Sequence, residues 1–131
     1  MMHRTAEFLR SCGTFYIATA ENDQPRVRPF GALDEFEGKL YLITSNKKPV
    51  FAQLTANPKV EICAFKDGKW IRVSGELIDD GRTEAKAAML DKYPMLKGMY
   101  SAEDDNTQVL YFKNGEAVIS SFGGAPETLA F

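Results

Sequence analysis

The chain has 131 residues, 44% of them hydrophobic and 26% charged, which is enough for one globular domain with a core and too little for two. A formal net charge of −2, with the 16 basic residues spread along the chain, argues against nucleic-acid binding. No apolar run approaches the roughly 20 residues of a membrane span, so we expect no membrane partner and a cytoplasmic location.

The first half of the chain predicts strands between two helices. Residues 5–12 are amphipathic and precede Gly13, which predicts a helix that ends there. Runs of β-forming residues predict strands at residues 14–19, 26–33 and 39–43, separated by polar turns. A second helix is predicted from Pro49, a favourable first-turn residue, to the stop signal at Asn57 and Pro58.

The second half predicts two hairpins around a third helix. Strands at residues 59–65 and 69–78 flank the turn signal Asp67-Gly68, and strands at 108–113 and 117–122 flank Asn114-Gly115. Residues 82–93 predict the helix, and the tail after Phe122 is expected to fray. We therefore expect a single domain over residues 1–131 with a mainly β fold. It should be a closed or partly closed barrel of six to seven mostly antiparallel strands with about three helices.

The segment between strand 39–43 and the helix at Pro49 has the composition of an anion site. Thr44, Ser45, Lys47 and Lys48 place two hydroxyls and two ammonium groups beside a helix N-terminus. Free backbone N–H groups and the positive end of the helix dipole favour an anion there, and two lysines suit a phosphate. The alternative is a capped helix start with two solvated lysines.

Arg28 is the second candidate for an anion site. It belongs to the motif Pro25-x-x-Arg28-x-Phe30, and side chains alternate along a strand, so Arg28 and Phe30 should share one face. We expect adjacent antiparallel strands to bring Arg28 near the lysine turn. The alternative is an arginine on the surface of a charged strand.

Other catalytic chemistry has little support in the sequence. His3 is the single histidine and lies at the terminus, which argues against a zinc site or a histidine-based triad. The two cysteines lack metal-site spacing, and Cys63 is expected to be packed and unreactive. No metal site is predicted, and no catalytic residue can be named.

Taken in order, these motifs resemble those of the pyridoxamine 5′-phosphate oxidase-like family of FMN-binding split barrels, including its general-stress and nitroimidazole-resistance relatives. The resemblance is carried by the Arg28 motif, residues 41–45, the lysine pair, Gln53-Leu54-x-x-Asn57-Pro58, and Trp70-Ile71-Arg72-Val73-x-Gly75. It implies a homodimer that binds FMN in clefts at the subunit interface.

The resemblance also implies a set of FMN-binding residues. The strand carrying Pro29, Phe30 and Gly31 would run along the isoalloxazine, and Arg28 would reach the phosphate. Ile43 and Thr44 would lie beside the ring and ribityl chain. Ser45, Lys47 and Lys48 would hold the phosphate, and which lysine contacts it is left open. Gln53, Trp70 and Arg72 would lie near the cleft, the last two reaching the partner's flavin.

The function implied is flavin-dependent oxidation or reduction of a small molecule, with NADH or NADPH as the candidate electron donor. Because the last arginine is Arg82 and no histidine follows His3, we do not expect the chain to oxidise pyridoxamine phosphate. Two other interpretations stay open. One is a flavin-binding or stress-related protein without turnover, and the other is a split barrel that binds heme or a deazaflavin.

Overall fold

The computed structural model describes residues 2–131, which form eight strands, three α-helices and a short 3-10 helix. The helices are α1 (Met2–Cys12), α2 (Pro49–Ala56) and α3 (Thr83–Lys92), and the 3-10 helix spans Pro94–Gly98. The strands are β1 (Phe15–Glu21), β2 (Gln24–Phe30), β3 (Leu33–Phe36), β4 (Lys39–Ser45), β5 (Lys59–Lys66), β6 (Lys69–Asp80), β7 (Thr107–Ser121) and β8 (Glu127–Ala130).

All strands belong to one antiparallel sheet with the order β2-β1-β5-β6-β7-β4-β3, and β8 pairs with β7 beside this path. The end strands β2 and β3 are not paired with each other, so the sheet stays open and has the form of a split barrel. The predicted mainly β fold is confirmed, with one strand more than the six to seven expected.

Local signals placed several elements correctly. Gly13 ends α1 with a positive φ of 78°, a conformation that costs glycine little. Pro49 occupies the first turn of α2, and the helix ends at Asn57 before Pro58. Asp67 and Gly68 both have positive φ values, 52° and 76°, as the hairpin between β5 and β6 requires.

The predicted hairpin at Asn114 and Gly115 is wrong. β7 runs through both residues, and its two halves pair with the single long strand β6. Asn114 takes a positive φ of 55°, and the two residues stand opposite Gly75 alone, which makes a β-bulge. A Cβ atom at Gly75 would lie 3.1 Å from the Lys113 carbonyl oxygen, so the close approach of the strands here depends on glycine.

Two further expectations are corrected. The run at residues 26–33 is not one strand, because β2 ends at Phe30 and β3 begins at Leu33. The tail does not fray, since β8 pairs with β7. Phe131 exchanges two backbone hydrogen bonds of 2.8 Å with Gly115, and its ring packs on Phe112 with the ring centroids 6.1 Å apart. Backbone pairing and aromatic packing thus anchor the C-terminus.

The core lies on one face of the sheet. Ile17, Ile62, Ile71 and Val73 are fully buried there, and a second apolar cluster lies under α3. The prediction that Cys63 is packed is wrong. Ile62 on β5 faces the core, so the side chain of the next residue, Cys63, points outward and is exposed. Within residues 2–131 we find no helix both long and apolar enough to cross a membrane.

Candidate functional site

The site forms where the open end of the sheet meets the start of α2. Pairing of Ile17 with Arg28 and of Phe15 with Phe30 puts Arg28 and Phe30 on one face of β2, as alternation predicted. The expected adjacency of their strand to β4 is wrong, because four strands separate β2 from β4 in the sheet. Packing of α2 on β1 brings them together instead: Thr19 of β1 is hydrogen-bonded to Gln53 of α2, and Arg28 and Lys48 line the same cavity.

We call this the basic cavity; its volume is about 530 Å³. Its lining includes Glu21, Arg26, Val27, Arg28, Pro29, Phe30, Lys48, Pro49, Val50 and Gln53. Arg28 is half-buried, and its Nη2 donates to Gln53 Oε1 at 2.6 Å while its Nη1 donates to Thr19 Oγ1 at 2.9 Å. Thr19 Oγ1 in turn donates to Gln53 Oε1 at 2.6 Å. The Arg28 guanidinium is thus held rigidly by neutral groups.

The charge of Arg28 is not balanced by the protein. Each of the other five arginines lies within 4.0 Å of a carboxylate, and Arg28 is the exception among the described residues. Burial, and next the charge of Arg26, lower the pKa of Arg28 below its ordinary value. An anion in the basic cavity would remove this penalty, because it would supply the missing opposite charge.

The two lysines of the turn are placed differently. Lys48 is the N-cap residue of α2 and lines the basic cavity, whereas Lys47 lines none of the cavities described in this section. Both side chains are exposed and neither lies within 4.0 Å of a carboxylate among the described residues. This placement favours Lys48 as the lysine that meets an anion beside Arg28.

The hydroxyls of Thr44 and Ser45 also differ. Ser45 Oγ donates to Asn106 Oδ1 and accepts the Lys47 backbone N–H at 3.1 Å, so its proton is already used. Thr44 Oγ1 is buried and is the one such side-chain polar atom without a hydrogen-bond partner in the described part of the chain. An unsatisfied buried hydroxyl costs about 1–3 kcal/mol. Neither Thr44 nor Ser45 lines either of the two cavities described in this section.

A second cavity of about 390 Å³ adjoins the first, with which it shares Pro29, Phe30 and Lys48; we call it the apolar cavity. Its remaining lining residues are Gly31, Ala32, Ile43, Tyr93, Met95, Leu96, Met99 and Tyr100. The stretch at residues 93–100 was missed as a site by sequence reasoning, although its clustered methionines after Pro94 were a visible signal.

Trp70 and Arg72 lie elsewhere. Both are on the outward face of β6, where Arg72 pairs with Glu61 at 2.7 Å and the Trp70 ring packs on Phe122 with the ring centroids 5.1 Å apart. Neither residue lines the basic or the apolar cavity. Within one chain, the structure therefore brings together Arg28, Lys48 and Gln53 and keeps Trp70 and Arg72 apart from them.

Comparison with known proteins gives the family. Residues 1–117 match the family model described as pyridoxamine 5′-phosphate oxidase. The chain is 51% identical to a NimC/NimA family protein from Clostridium acetobutylicum, with a TM-score of 0.96 over 99% of this chain and 92% of that one. No curated protein matches the chain.

Two more distant structures share the fold. A pyridoxamine 5′-phosphate oxidase-related, FMN-binding protein from Nostoc punctiforme has 15% identity and a TM-score of 0.59, covering 99% of this chain and 91% of that one. A heme-binding protein from Mycobacterium smegmatis has 15% identity and a TM-score of 0.71, covering 95% of this chain and 57% of that one. With the match over residues 1–117, the chain belongs to the pyridoxamine 5′-phosphate oxidase family.

Proposed function

We propose that this protein is an FMN-dependent oxidoreductase that acts on a small molecule and works as a cytoplasmic homodimer. The observation that carries the proposal is the unbalanced charge of Arg28, which lies with Lys48 along one cavity at the start of α2. A phosphate group offers the negative charge and the several acceptor oxygens that a guanidinium and an ammonium group bind best.

The residues present fit FMN. Arg28 and Lys48 would hold the phosphate, and Gln53 would keep the guanidinium in place. The strand end at Pro29, with Gly31 and Ile43 in the adjoining apolar cavity, would receive the isoalloxazine ring. FMN supplies the hydride or electron transfer when bound, and the chain supplies binding, orientation and exclusion of water.

A second copy of the chain is supported by the outward face of the sheet. Tyr16, Cys63 and Arg72 are neighbours across β1, β5 and β6, and Phe65 stands opposite Trp70. Phe122, with 88% of its surface exposed, packs on Trp70 at the end of this face. Exposed aromatic side chains with an arginine among them are typical of a protein interface. In such a dimer, Trp70 and Arg72 would reach the cofactor of the partner subunit.

Heme is a second candidate ligand because one structural neighbour is a heme-binding protein. His3 does not support it, since its Nδ1 lies 2.8 Å from Glu35 Oε2 and it lines neither cavity. A flavin-binding protein without turnover is the other alternative. Neither cavity has a histidine or a cysteine in its lining, and Glu21 is paired with Arg26, so the chain offers little acid–base chemistry of its own.

The test is a visible absorption spectrum of the purified full chain, before and after addition of FMN, with the released cofactor identified by mass. We expect a flavin spectrum and the mass of FMN, followed by bleaching when NADH or NADPH is added without oxygen. A heme spectrum would refute the flavin assignment. A bound flavin that neither nicotinamide reduces would favour the protein without turnover, and elution as a monomer would refute the dimer.

A further inference from the structure

Residues 45–48, which we call the lysine turn, lead from the end of β4 to α2 and bring Lys48 to the basic cavity. The Lys48 N–H donates to the Ser45 carbonyl oxygen at 3.1 Å, which closes the turn. The Lys47 N–H donates to Ser45 Oγ, also at 3.1 Å. Buried Ser45 thus holds the backbone of both lysines, and its position determines where the Lys48 side chain begins.

A loop from a distant part of the chain fixes the lysine turn from outside. This loop, residues 101–106, is called the acidic loop here. Its Asn106 Oδ1 accepts a hydrogen bond from Ser45 Oγ. The Asn46 N–H donates to the Asn106 carbonyl oxygen at 2.9 Å, and Asn46 Nδ2 donates to the Asp105 carbonyl oxygen at 2.5 Å. The loop therefore binds the turn through one side chain and two backbone carbonyl groups.

One carboxylate gives the acidic loop its own fixed shape. Asp104 accepts hydrogen bonds from three backbone N–H groups, those of Ser101 at 2.9 Å, Asn106 at 3.0 Å and Thr107 at 2.7 Å. The Thr107 hydroxyl adds a fourth at 3.0 Å. Thr107 is fully buried and pairs with Ser45 in the ladder between β4 and β7. Hydrogen bonds to a charged acceptor are the stronger ones, so the loop offers the turn a firm support.

The hydrogen bonds of the Ser45 hydroxyl indicate what this residue does. A serine hydroxyl has a single proton to donate, and here that proton goes to Asn106. Its oxygen accepts the Lys47 N–H, and Ser45 lines neither the basic nor the apolar cavity. Ser45 is thus placed to shape the turn, which leaves Arg28 and Lys48 to meet an anion in the basic cavity.

We propose that Asn106 is a positioning residue for cofactor binding, which acts through Ser45 to hold the lysine turn so that Lys48 meets the phosphate beside Arg28. The inference rests on the proposed flavin function, and it adds a residue that lies outside both cavities. Lysine has a long and flexible side chain, so ordering it on binding is costly. A backbone that is already fixed at the start of that side chain lowers this cost.

The test is titration of the full chain with FMN and with riboflavin, which has the same ring and ribityl chain but no phosphate. Asn106→Ala and Ser45→Ala should each weaken FMN binding by about fivefold or more and leave riboflavin binding within about twofold of the wild type. Glu103→Gln, an exposed position in the same loop, is the matched control and should change neither affinity. An unchanged FMN affinity in Asn106→Ala, or equal weakening of both flavins, would overturn the inference.

The double variant tests whether Asn106 acts through Ser45. Two residues that work as one unit are not additive, so the double variant should bind FMN within about twofold of Ser45→Ala alone. Multiplication of the two losses, to roughly 25-fold, would show that each residue acts independently and would refute the positioning role.

Inorganic phosphate separates this inference from the flavin function. A wild-type chain that binds neither FMN nor riboflavin refutes the flavin function. Inorganic phosphate would then be titrated into wild type and Asn106→Ala, with the Lys48 backbone amide signal followed by NMR. Weaker binding of phosphate in the variant supports the positioning role of Asn106, and equal binding or none refutes it.

Discussion

Replacement of Arg28 by methionine should weaken FMN binding strongly while changing stability little. The variant loses the hydrogen bonds that the guanidinium donates to Gln53, to Thr19 and, more weakly, to the Ile17 and Arg26 carbonyl oxygens. It also loses a half-buried charge that no carboxylate balances. The Gln53–Thr19 bond of 2.6 Å remains. These opposing effects should leave the free energy of unfolding of the cofactor-free chain within about 1 kcal/mol of the wild type. A lost charge-assisted contact to phosphate costs about 1.5–3 kcal/mol, which is about a 10- to 150-fold weaker affinity.

The assay is titration with FMN followed by quenching of flavin fluorescence, paired with urea unfolding of the same samples. Arg4→Met is the matched control, because Arg4 forms an exposed ion pair with Glu127 and lines neither cavity. It should leave the affinity for FMN unchanged. Wild-type affinity in Arg28→Met would refute the phosphate site at Arg28. Loss of the fold would show instead that Arg28 is structural.

Three further outcomes are expected. Lys48→Ala should weaken FMN binding at least fivefold more than Lys47→Ala in the same titration, because Lys48 alone of the pair lines the basic cavity. Equal effects of the two substitutions would contradict the assignment of Lys48 to the phosphate. Gly75→Ala should lower the free energy of unfolding by about 1–3 kcal/mol, because the new Cβ atom would lie 3.1 Å from the Lys113 carbonyl oxygen. The control Gly81→Ala adds a Cβ atom in open space and should change the free energy of unfolding little in the same denaturant titration. The Arg82 side chain, and then the Tyr41 hydroxyl, hydrogen-bond to Asp80 and hold its pKa at about 2, below the ordinary 3.8. The ionised carboxylate should therefore contribute about 1–2 kcal/mol to the free energy of unfolding above pH 4. This contribution should be lost as the pH falls from about 4 to about 2. Urea unfolding measured across that range should show a loss that is smaller by this amount in Asp80→Asn than in the wild type, because Asp104, whose pKa is also held at about 2, contributes to the loss in both.

Short-range signals in the sequence succeeded where only neighbouring residues decide the conformation. Gly13 ends a helix, Pro49 begins one and Asp67-Gly68 turns a hairpin, and each of these was predicted correctly. Asn114-Gly115 carries an equally strong hairpin signal and failed. Its positive φ is used in a bulge instead, because β6 continues past it and offers both halves of β7 a partner. The choice between turn and bulge depended on a strand about 40 residues away.

The chemistry of the candidate site was readable from residue types, and its assembly was not. Arg28, Ser45 and the lysine pair could be identified from charge, hydroxyls and a helix start. Sheet order separates β2 from β4 by four strands, and it is the packing of α2 on β1 that places Arg28 and Lys48 along one cavity. Residue types and local order are encoded in short stretches of chain. Cavity partners, such as the stretch at residues 93–100, are decided by packing between distant elements, which only the tertiary structure shows.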